Sequence, residues 1–250
     1  MHQTTLLRAI FRATLAYLAA TAAIAQAAFE DCLDFFPNRT PPIVANAPQW
    51  LARDLCFDAF AVLHSGIRKT PIYAVERLSP EMLDDAQDEI RTNRFFADAR
   101  LRAAERATLA DYKGSGFDRG HMAPAGDMPN ARAMAQSFSL ANMVPQAPDN
   151  NRGIWAKIAE KSTRQYVKRS GHTIHVFTGP VFPENPKTIG PGKVWVPSVL
   201  FKLIYDPQVN RAWAHWVENR DDAQPGKLMS YQELRRQTGI EFLPGIDPAF

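Results

Sequence analysis

The feature that most constrains this chain is an eleven-residue segment, 111–121, with the sequence DYKGSGFDRGH. Its glycines allow tight turns and a close approach of the backbone to a ligand. The segment ends with a carboxylate, a guanidinium and an imidazole, at Asp118, Arg119 and His121. A histidine can take up a proton near neutral pH, and an arginine can grip a phosphate through two hydrogen bonds. Taken alone, however, the segment is more typical of an ordinary loop, because short motifs often match by chance.

The first 28 residues have the pattern of a secretory signal peptide. Arg8 and Arg12 precede an apolar run over 13–25, and Ala25-Gln-Ala27 is a small-x-small cleavage site. The apolar run is short for a membrane span, and an uncleaved N-terminal anchor is the alternative. We therefore expect a periplasmic or secreted protein with no stable membrane association after signal cleavage.

Net charge does not predict a polyanion-binding protein. The chain has 29 basic and 26 acidic residues, and cleavage removes two arginines, which leaves 27 against 26. Any affinity for a polyanion must therefore come from a local basic patch. With 250 residues, 46% hydrophobic and 22% charged, the composition argues against disorder and coiled coil.

The two cysteines, Cys32 and Cys56, predict a disulfide, because an exported protein meets an oxidising compartment. Two buried free thiols are the alternative. The bond would fasten an N-terminal extension at 29–54, with a proline-rich connector at 37–48, to a domain at 55–250.

Strand-like segments cluster along the chain, which predicts an α+β domain. Apolar alternation predicts strands at 55–65, 71–77, 138–144, 172–178, 194–205 and 211–217. Helices are predicted at 151–169, with Asp149 and Asn150 as possible caps, and at 230–239.

These motifs together resemble the DNA/RNA non-specific endonucleases, the ββα-metal (His-Me finger) nucleases. The matching motifs are DYxGSGFDRGH at 111–121, NxxPQ at 142–146 and NxxxW at 151–155, with weaker matches at 178–181, 196–202 and 238–242. The resemblance covers roughly 55–245 and rests on a highly specific first block. It implies an α+β fold with a central, mainly antiparallel sheet flanked by helices.

The resemblance also implies roles for the matching residues. His121 is similar to the general base that deprotonates the attacking water, and Asn151 to the direct protein ligand of Mg²⁺, for which Mn²⁺ could substitute. Arg119 is similar to the arginine that orients or stabilises the phosphate. The supporting polar positions are Asp118, Asn142 and Gln146.

Phosphodiester chemistry agrees with these roles. Hydrolysis needs a base for the water and positive charge on the transition state. Magnesium prefers oxygen ligands and keeps several waters, so one amide oxygen can suffice as a protein ligand. The resemblance implies DNA and RNA as substrates and 5′-phosphate ends as products.

One position departs from the family pattern. The family places a glutamate eight residues after the metal asparagine, whereas this chain has Ala159 there and the acid at Glu160. Because one residue on a regular helix turns the side chain by about 100°, either a π-bulge absorbs the extra residue or Glu160 faces away. Arg164, four residues further on, favours a Glu160–Arg164 pair that acts together.

Basic residues at 157, 161, 164 and 168 recur at helical spacing. Lys157 and Lys161 are candidates to contact substrate phosphates, although a solvated helix face has the same pattern.

The main hypothesis is an exported, Mg²⁺-dependent endonuclease for DNA and RNA. One alternative is a catalytically impaired periplasmic nucleic-acid-binding protein, supported only by the displaced Glu160. Another is a phosphodiesterase acting on small substrates, and the oligomeric state stays open.

Overall fold

The computed structural model describes residues 29–250, and the predicted signal peptide at 1–28 lies outside the described residues. Strands in this range are β1 (Ile43–Val44), β2 (Ala52–Cys56), β3 (Phe60–Ser65), β4 (Thr70–Leu78), β5 (Asp118–His121), β6 (Met143–Gln146), β7 (Ile174–Val181), β8 (Thr188–Ile189), β9 (Val194–Trp195), β10 (Val199–Asp206), β11 (Arg211–Glu218), β12 (Met229–Ser230) and β13 (Ile240–Glu241).

The α-helices are α1 (Pro80–Asp85), α2 (Leu109–Tyr112), α3 (Ala131–Ser137), α4 (Ser162–Ser170) and α5 (Tyr231–Thr238). A π-helix, Asn150–Lys161, runs directly into α4. Short 3-10 helices lie at Leu33–Phe35, Pro37–Arg39, Ala86–Asp88, Ala103–Glu105, Ala125–Asp127 and Leu140–Asn142. Within residues 29–250, the helices are too short or too polar to span a lipid bilayer.

The centre of the fold is a seven-stranded sheet in the order β12-β11-β10-β7-β4-β3-β2. Each neighbouring pair is antiparallel. The α+β prediction with a mainly antiparallel central sheet is therefore confirmed. The strands predicted at 71–77, 172–178 and 211–217 correspond to β4, β7 and β11.

Three strand predictions are wrong in extent. The stretch 55–65 is a hairpin rather than one strand, because the backbone N–H of Phe57 donates to Phe60 and turns the chain between β2 and β3. The stretch 194–205 is broken around Pro197, which has no N–H to give to a ladder. Most of 138–144 is a turn, because the Ser139 hydroxyl caps the N–H of Ala141 and only Met143 onward is extended.

Apolar side chains pack on both faces of the sheet. One core contains Phe36, Tyr73, Phe177, Phe201 and Phe242, and α5 packs there through Leu234. The other core contains Val62, Ala74, Leu200, Phe138 and Trp155. Trp155 belongs to the π-helix and Phe138 follows α3, so the second face supports the elements that carry the predicted site residues.

The predicted disulfide is confirmed: Cys32 and Cys56 are joined, with their Cα atoms 5.7 Å apart. The bond ties the N-terminal segment to β2, and Phe29 and Phe36 of that segment are buried in the first core. The boundary expected between residues 54 and 55 lies within β2.

Candidate active site

The motif at 118–121 forms strand β5, which pairs antiparallel with β6. Asp118 lies opposite Gln146 and His121 lies opposite Met143. Gly120 lies between them at a point of close approach, because a Cβ atom there would stand 2.0 Å from Gln146 Oε1. The glycine of the motif is therefore required for the two strands to come together with Gln146 between them.

His121 is 8% exposed, with its ring packed edge-on against Phe138 at a centroid distance of 5.0 Å. Its Nε2 is buried without a hydrogen-bond partner among the described residues. Burial, with the charges of Arg91 and Arg119, lowers the pKa of His121 to about 3. The imidazole is therefore neutral at pH 7 and can accept a proton.

Asn142 fixes the backbone that follows His121. Its side-chain amide donates to the carbonyls of Ala123 and Ser137 at 2.9 and 3.0 Å, and its Oδ1 accepts from the N–H of Ala123 at 2.9 Å. Asn142 is fully buried, so this predicted supporting residue acts on the position of His121 and does not face a substrate.

Asn151 lies at the start of the π-helix, and its Nδ2 donates to Asp118 Oδ2 at 2.9 Å. Arg152 binds the same carboxylate through two hydrogen bonds of 2.8 and 2.6 Å. Partial burial acts to raise the pKa of Asp118, but the bonds from Arg152 and Asn151 outweigh it and the pKa is lowered. Asp118 thus stays ionised and orients the Asn151 amide.

The oriented amide suits a hard cation. Because the Nδ2 of Asn151 is occupied by Asp118, its Oδ1 is left as an oxygen donor of the kind that Mg²⁺ accepts. Within residues 29–250, no group of three or more His, Cys, Asp or Glu side chains is placed to hold a metal ion.

Gln146 and Asn150 join the strand pair to the helix and the sheet. Gln146 Nε2 donates to Asn150 Oδ1 at 2.7 Å, and Asn150 Nδ2 donates to the carbonyl of Glu218 at 2.6 Å. The sequence suggested Asn150 only as a helix cap, whereas it is fully buried and connects three elements. Asp149 makes no side-chain capping bond.

The π-helix accounts for the glutamate that lies one position later than in the family pattern. Glu160 lies nine positions after Asn151, which is about two and a half turns of an α-helix but about two turns of a π-helix with roughly 4.4 residues per turn. With the π-helical period we expect Glu160 on about the same side of the helix as Asn151, and Ala159 is buried in the core. The predicted π-type insertion is confirmed, and it extends over the whole segment.

Glu160 and Arg164 lie side by side, with Arg164 Nη2 3.7 Å from the Glu160 carboxylate. Arg164 Nη1 also donates to the buried Asp127 at 2.8 Å. Burial raises the pKa of Glu160, against the lowering effect of Lys202 and Arg164. The pair predicted from sequence is thus present, with Asp127 as a third member that the sequence did not reveal.

Two further charged residues lie under the π-helix. Lys202 is buried, and its Nζ donates to Thr178 Oγ1 at 2.8 Å. Glu76 is buried, and neither carboxylate oxygen has a hydrogen-bond partner among residues 29–250. Burial and the charge of Asp127 raise the pKa of Glu76 well above its usual value. The weak motif at 196–202 was the one sequence signal for Lys202.

The predicted substrate-contacting lysines are both exposed. Lys161, Arg164, Lys168 and Arg169 line a cleft of about 560 Å³ between α4 and α1, whereas Lys157 lies outside that lining. Arg119 stacks over the ring of Phe95 at 4.1 Å, which restrains its guanidinium next to His121.

Comparison with known proteins agrees with this geometry. The family model described as DNA/RNA non-specific endonuclease matches residues 44–249. The chain belongs to this family. The family prediction is therefore confirmed, and with it the assignment to enzymes that cut DNA and RNA.

Individual relatives are similar over most of the chain. Human mitochondrial endonuclease G is 31% identical over 211 residues, which cover 76% of this chain and 69% of that protein. Mitochondrial nuclease EXOG of Xenopus laevis is 32% identical, covering 75% of this chain and 57% of its own length. Nuclease C1 of Cunninghamella echinulata var. echinulata is 40% identical over 134 residues, 49% of this chain and 52% of that protein.

A solved structure shares the fold. A chain from the crystal structure of the EndoG/EndoGI complex has a TM-score of 0.68 at 21% identity, and the match covers 78% of this chain and 86% of that one. The ββα-metal architecture predicted from sequence is thereby confirmed.

Proposed function

We propose that this protein is an exported, Mg²⁺-dependent endonuclease that hydrolyses the phosphodiester bonds of DNA and RNA and leaves 5′-phosphate ends. The observation that carries the proposal is the 2.9 Å hydrogen bond between Asp118 and Asn151. It joins the strand that ends in His121 to the helix that carries Asn151 and Glu160, which supports a site in which His121 is the base, Asn151 the amide ligand and Glu160 the acid.

His121 is the general base of the proposal. Its lowered pKa keeps it neutral, and the nearby Arg91 and Arg119 contribute to that lowering. A phosphate bound at Arg119 would offset these positive charges and raise the pKa of His121, which strengthens it as a base when substrate is present. Asn142 holds the loop, so the ring does not need to reorganise.

The donor set fits Mg²⁺, with Mn²⁺ as a substitute: Asn151 Oδ1 would hold the cation, and Glu160 would act on a water bound to it. The cation would supply positive charge to the transition state and the leaving oxygen. By accepting from Nδ2, Asp118 would leave the amide oxygen of Asn151 free for the cation. Arg164, fixed by Asp127, holds Glu160 in place.

Indifference to sequence and sugar follows from contacts to the backbone alone. Arginine and lysine side chains bind phosphates without reading bases. Arg119 would hold the phosphate that is cut, while Lys161 and its neighbours in the cleft by α4 bind phosphates further along the strand. Lys157, exposed on the same helix, would add to this binding without lining the cleft.

The test is degradation of plasmid DNA and of RNA with Mg²⁺ and with chelator, comparing the unsubstituted protein with His121→Gln and Asn151→Ala. We expect chelation and either variant to lower the rate by at least a hundredfold. His172→Gln is the matched control, because Asp206 keeps its hydrogen bonds from Tyr166 and Gln208 there. Full activity in His121→Gln or under chelation would contradict the mechanism.

The same digests address the product and the alternatives. Products with 5′-phosphate ends will accept a radioactive label from polynucleotide kinase only after phosphatase treatment. Hydrolysis of a nitrophenyl phosphodiester without cutting of polymers would select the small-substrate phosphodiesterase. Tight binding of nucleic acid without cleavage under varied divalent metals would select the impaired-site alternative, against which the ion pair of Glu160 with Arg164 counts.

Export is supported by the 1–28 sequence pattern and by the Cys32–Cys56 disulfide. N-terminal sequencing of the protein recovered from periplasm or medium should begin close to residue 28. A protein that retains Met1 and stays in the cytoplasm would contradict the proposal.

A further inference from the structure

A second cavity lies on the face of the sheet opposite the active site. Its volume is about 180 Å³, and Ile72 and Phe201 in its wall belong to the core on that face. Arg68, in the turn between β3 and β4, lines the cavity with its guanidinium group. The active-site helix packs on the other core through Trp155, so this cavity is separate from His121 and Asn151.

Three aromatic rings surround the Arg68 guanidinium. Its Cζ lies 3.8 Å from the ring centroid of Trp50, 5.0 Å from that of Phe182 and 5.6 Å from that of Trp195. Such cation–π contacts stabilise a positive charge and hold its plane, but they leave the N–H groups at its edge without acceptors.

No acidic group of residues 29–250 neutralises Arg68. Among the described residues it has no carboxylate within ion-pair distance, and its Nε is buried without a hydrogen-bond partner. Burial lowers the pKa of Arg68 to about 10, so the group is still charged at neutral pH. A partly buried cation with an unused donor is unfavourable unless an acceptor completes it.

The backbone of Arg68 is held at both ends of the residue. Its N–H donates to Ser65 Oγ at 3.2 Å, and its carbonyl accepts from the N–H of Trp195 at 3.1 Å. Because the backbone and the ring stack are both fixed, the guanidinium is presented to the cavity in a defined orientation. Little side-chain entropy remains to be lost on binding.

We propose that Arg68, Trp50, Phe182 and Trp195 form an oxyanion-binding site that takes the phosphate or carboxylate of a small organic molecule. A guanidinium binds both groups through paired N–H donors. The cavity volume of about 180 Å³ is close to the roughly 150 Å³ that holds one benzene ring. The ligand would therefore place its anionic group on Arg68 and one planar ring beside the aromatic side chains. This site does not depend on the nuclease mechanism.

The test is calorimetric titration and tryptophan fluorescence of the full mature protein, in chelator, with inorganic phosphate, adenosine 5′-monophosphate and benzoate as separate probes. We expect at least one probe to bind and to change the emission of Trp50 and Trp195. Arg68→Gln should weaken that binding at least tenfold and leave nuclease activity unchanged. Arg132→Gln, at an exposed arginine already paired with Asp58 at 2.9 Å, should have no effect.

The probes also separate the possible ligands. Binding of phosphate and the nucleotide indicates recognition of a phosphate, and binding of benzoate alone indicates recognition of a carboxylate. If Arg68→Gln does not fold, Arg68→Lys replaces it and should bind more weakly than arginine, since it lacks the paired donors. Failure of all three probes to bind, or equal binding by the Arg68 variant, overturns the proposal.

Discussion

Replacing Gly120 with alanine tests whether the close approach of β5 and β6 builds the active site. The added Cβ would lie 2.0 Å from Gln146 Oε1, 2.7 Å from its Cβ and 2.9 Å from its Cδ. Gln146 must move, which breaks the hydrogen bond that its Nε2 donates to Asn150 Oδ1. The Asn150 Oδ1 acceptor is then buried without its partner. Overpacking costs about 1–3 kcal/mol, and the unpaired acceptor adds about 1–3 kcal/mol. We expect Gly120→Ala to lower the free energy of unfolding by about 3 kcal/mol.

Substitutions at residue 146 make the prediction specific. In a Gln146→Gly background all three contacts are gone, so the added methyl group should cost less than about 1 kcal/mol. In Gln146→Ala the Cβ contact at 2.7 Å remains, so relief should be partial. The assay is urea unfolding of the full set, with nuclease activity measured in parallel because His121 adjoins Gly120.

The matched control is Gly153→Ala in the π-helix, where an added Cβ meets nothing within 4 Å. That variant should be as stable as the unsubstituted protein, or about 0.5–1 kcal/mol more stable. The reasoning is refuted if Gly120→Ala unfolds within about 0.5 kcal/mol of the unsubstituted protein. It is also refuted if the loss is the same in every Gln146 background.

Three further predictions concern charge. The pKa of His121 is lowered to about 3, so only the unfolded chain takes up its proton as the pH falls below about 6.5. Between pH 7 and 5 the unsubstituted protein should therefore lose about 2 kcal/mol more stability than His121→Gln in urea unfolding; equal losses would contradict the assignment. Asp118→Asn should lower Mg²⁺-dependent cleavage about 10–100-fold by freeing the Asn151 amide, and Arg152→Gln should lower it less; the reverse order would contradict the orienting role. The raised pKa of Glu76 means that the native state keeps a proton that the unfolded chain loses above about pH 4.3, so stability falls as the pH rises through that range. In Glu76→Gln, the free energy of unfolding should therefore fall less steeply between pH 5 and 8. If Glu76→Gln instead lowers the free energy of unfolding by several kcal/mol at pH 7, Glu76 is ionised and paired in the native state.

The sequence correctly predicts the strands in which apolar residues recur along the whole strand. It fails where one local contact interrupts an apolar run. Asp58 and Ala59 turn the chain inside a run that contains no glycine or proline, so 55–65 resembles one strand. The Ser139 cap converts an apolar stretch into a helical turn in the same way. In both places one or two hydrogen bonds outweigh the β propensity of the side chains.

The sequence likewise identifies only some of the residues of the candidate site. The motif residues His121, Arg119 and Asn151 are identifiable because they keep family spacing. The contacts that support the site are not identifiable, because they join distant segments: Asp127 precedes its partner Arg164 by 37 residues, and Glu218 follows its partner Asn150 by 68. Such contacts depend on the register of the sheet and on how the helix lies across it. A single sequence contains neither.

The π-helix lies over a group of buried charged side chains whose charges balance. Under the helix lie three acids, Glu76, Asp127 and Glu160, and two cations, Arg164 and Lys202. Glu160 and Arg164 are four residues apart and their charged groups lie 3.7 Å from each other, so the two side chains turn as a pair toward Asp127 and Lys202. The wider π-helix sets the rotation of this pair relative to Asn151, and a proton retained by Glu76 leaves two negative charges against two positive ones. Buried ions are tolerated when they are paired, so this charge balance helps to stabilise an uncommon helix at the position where the site needs an acid.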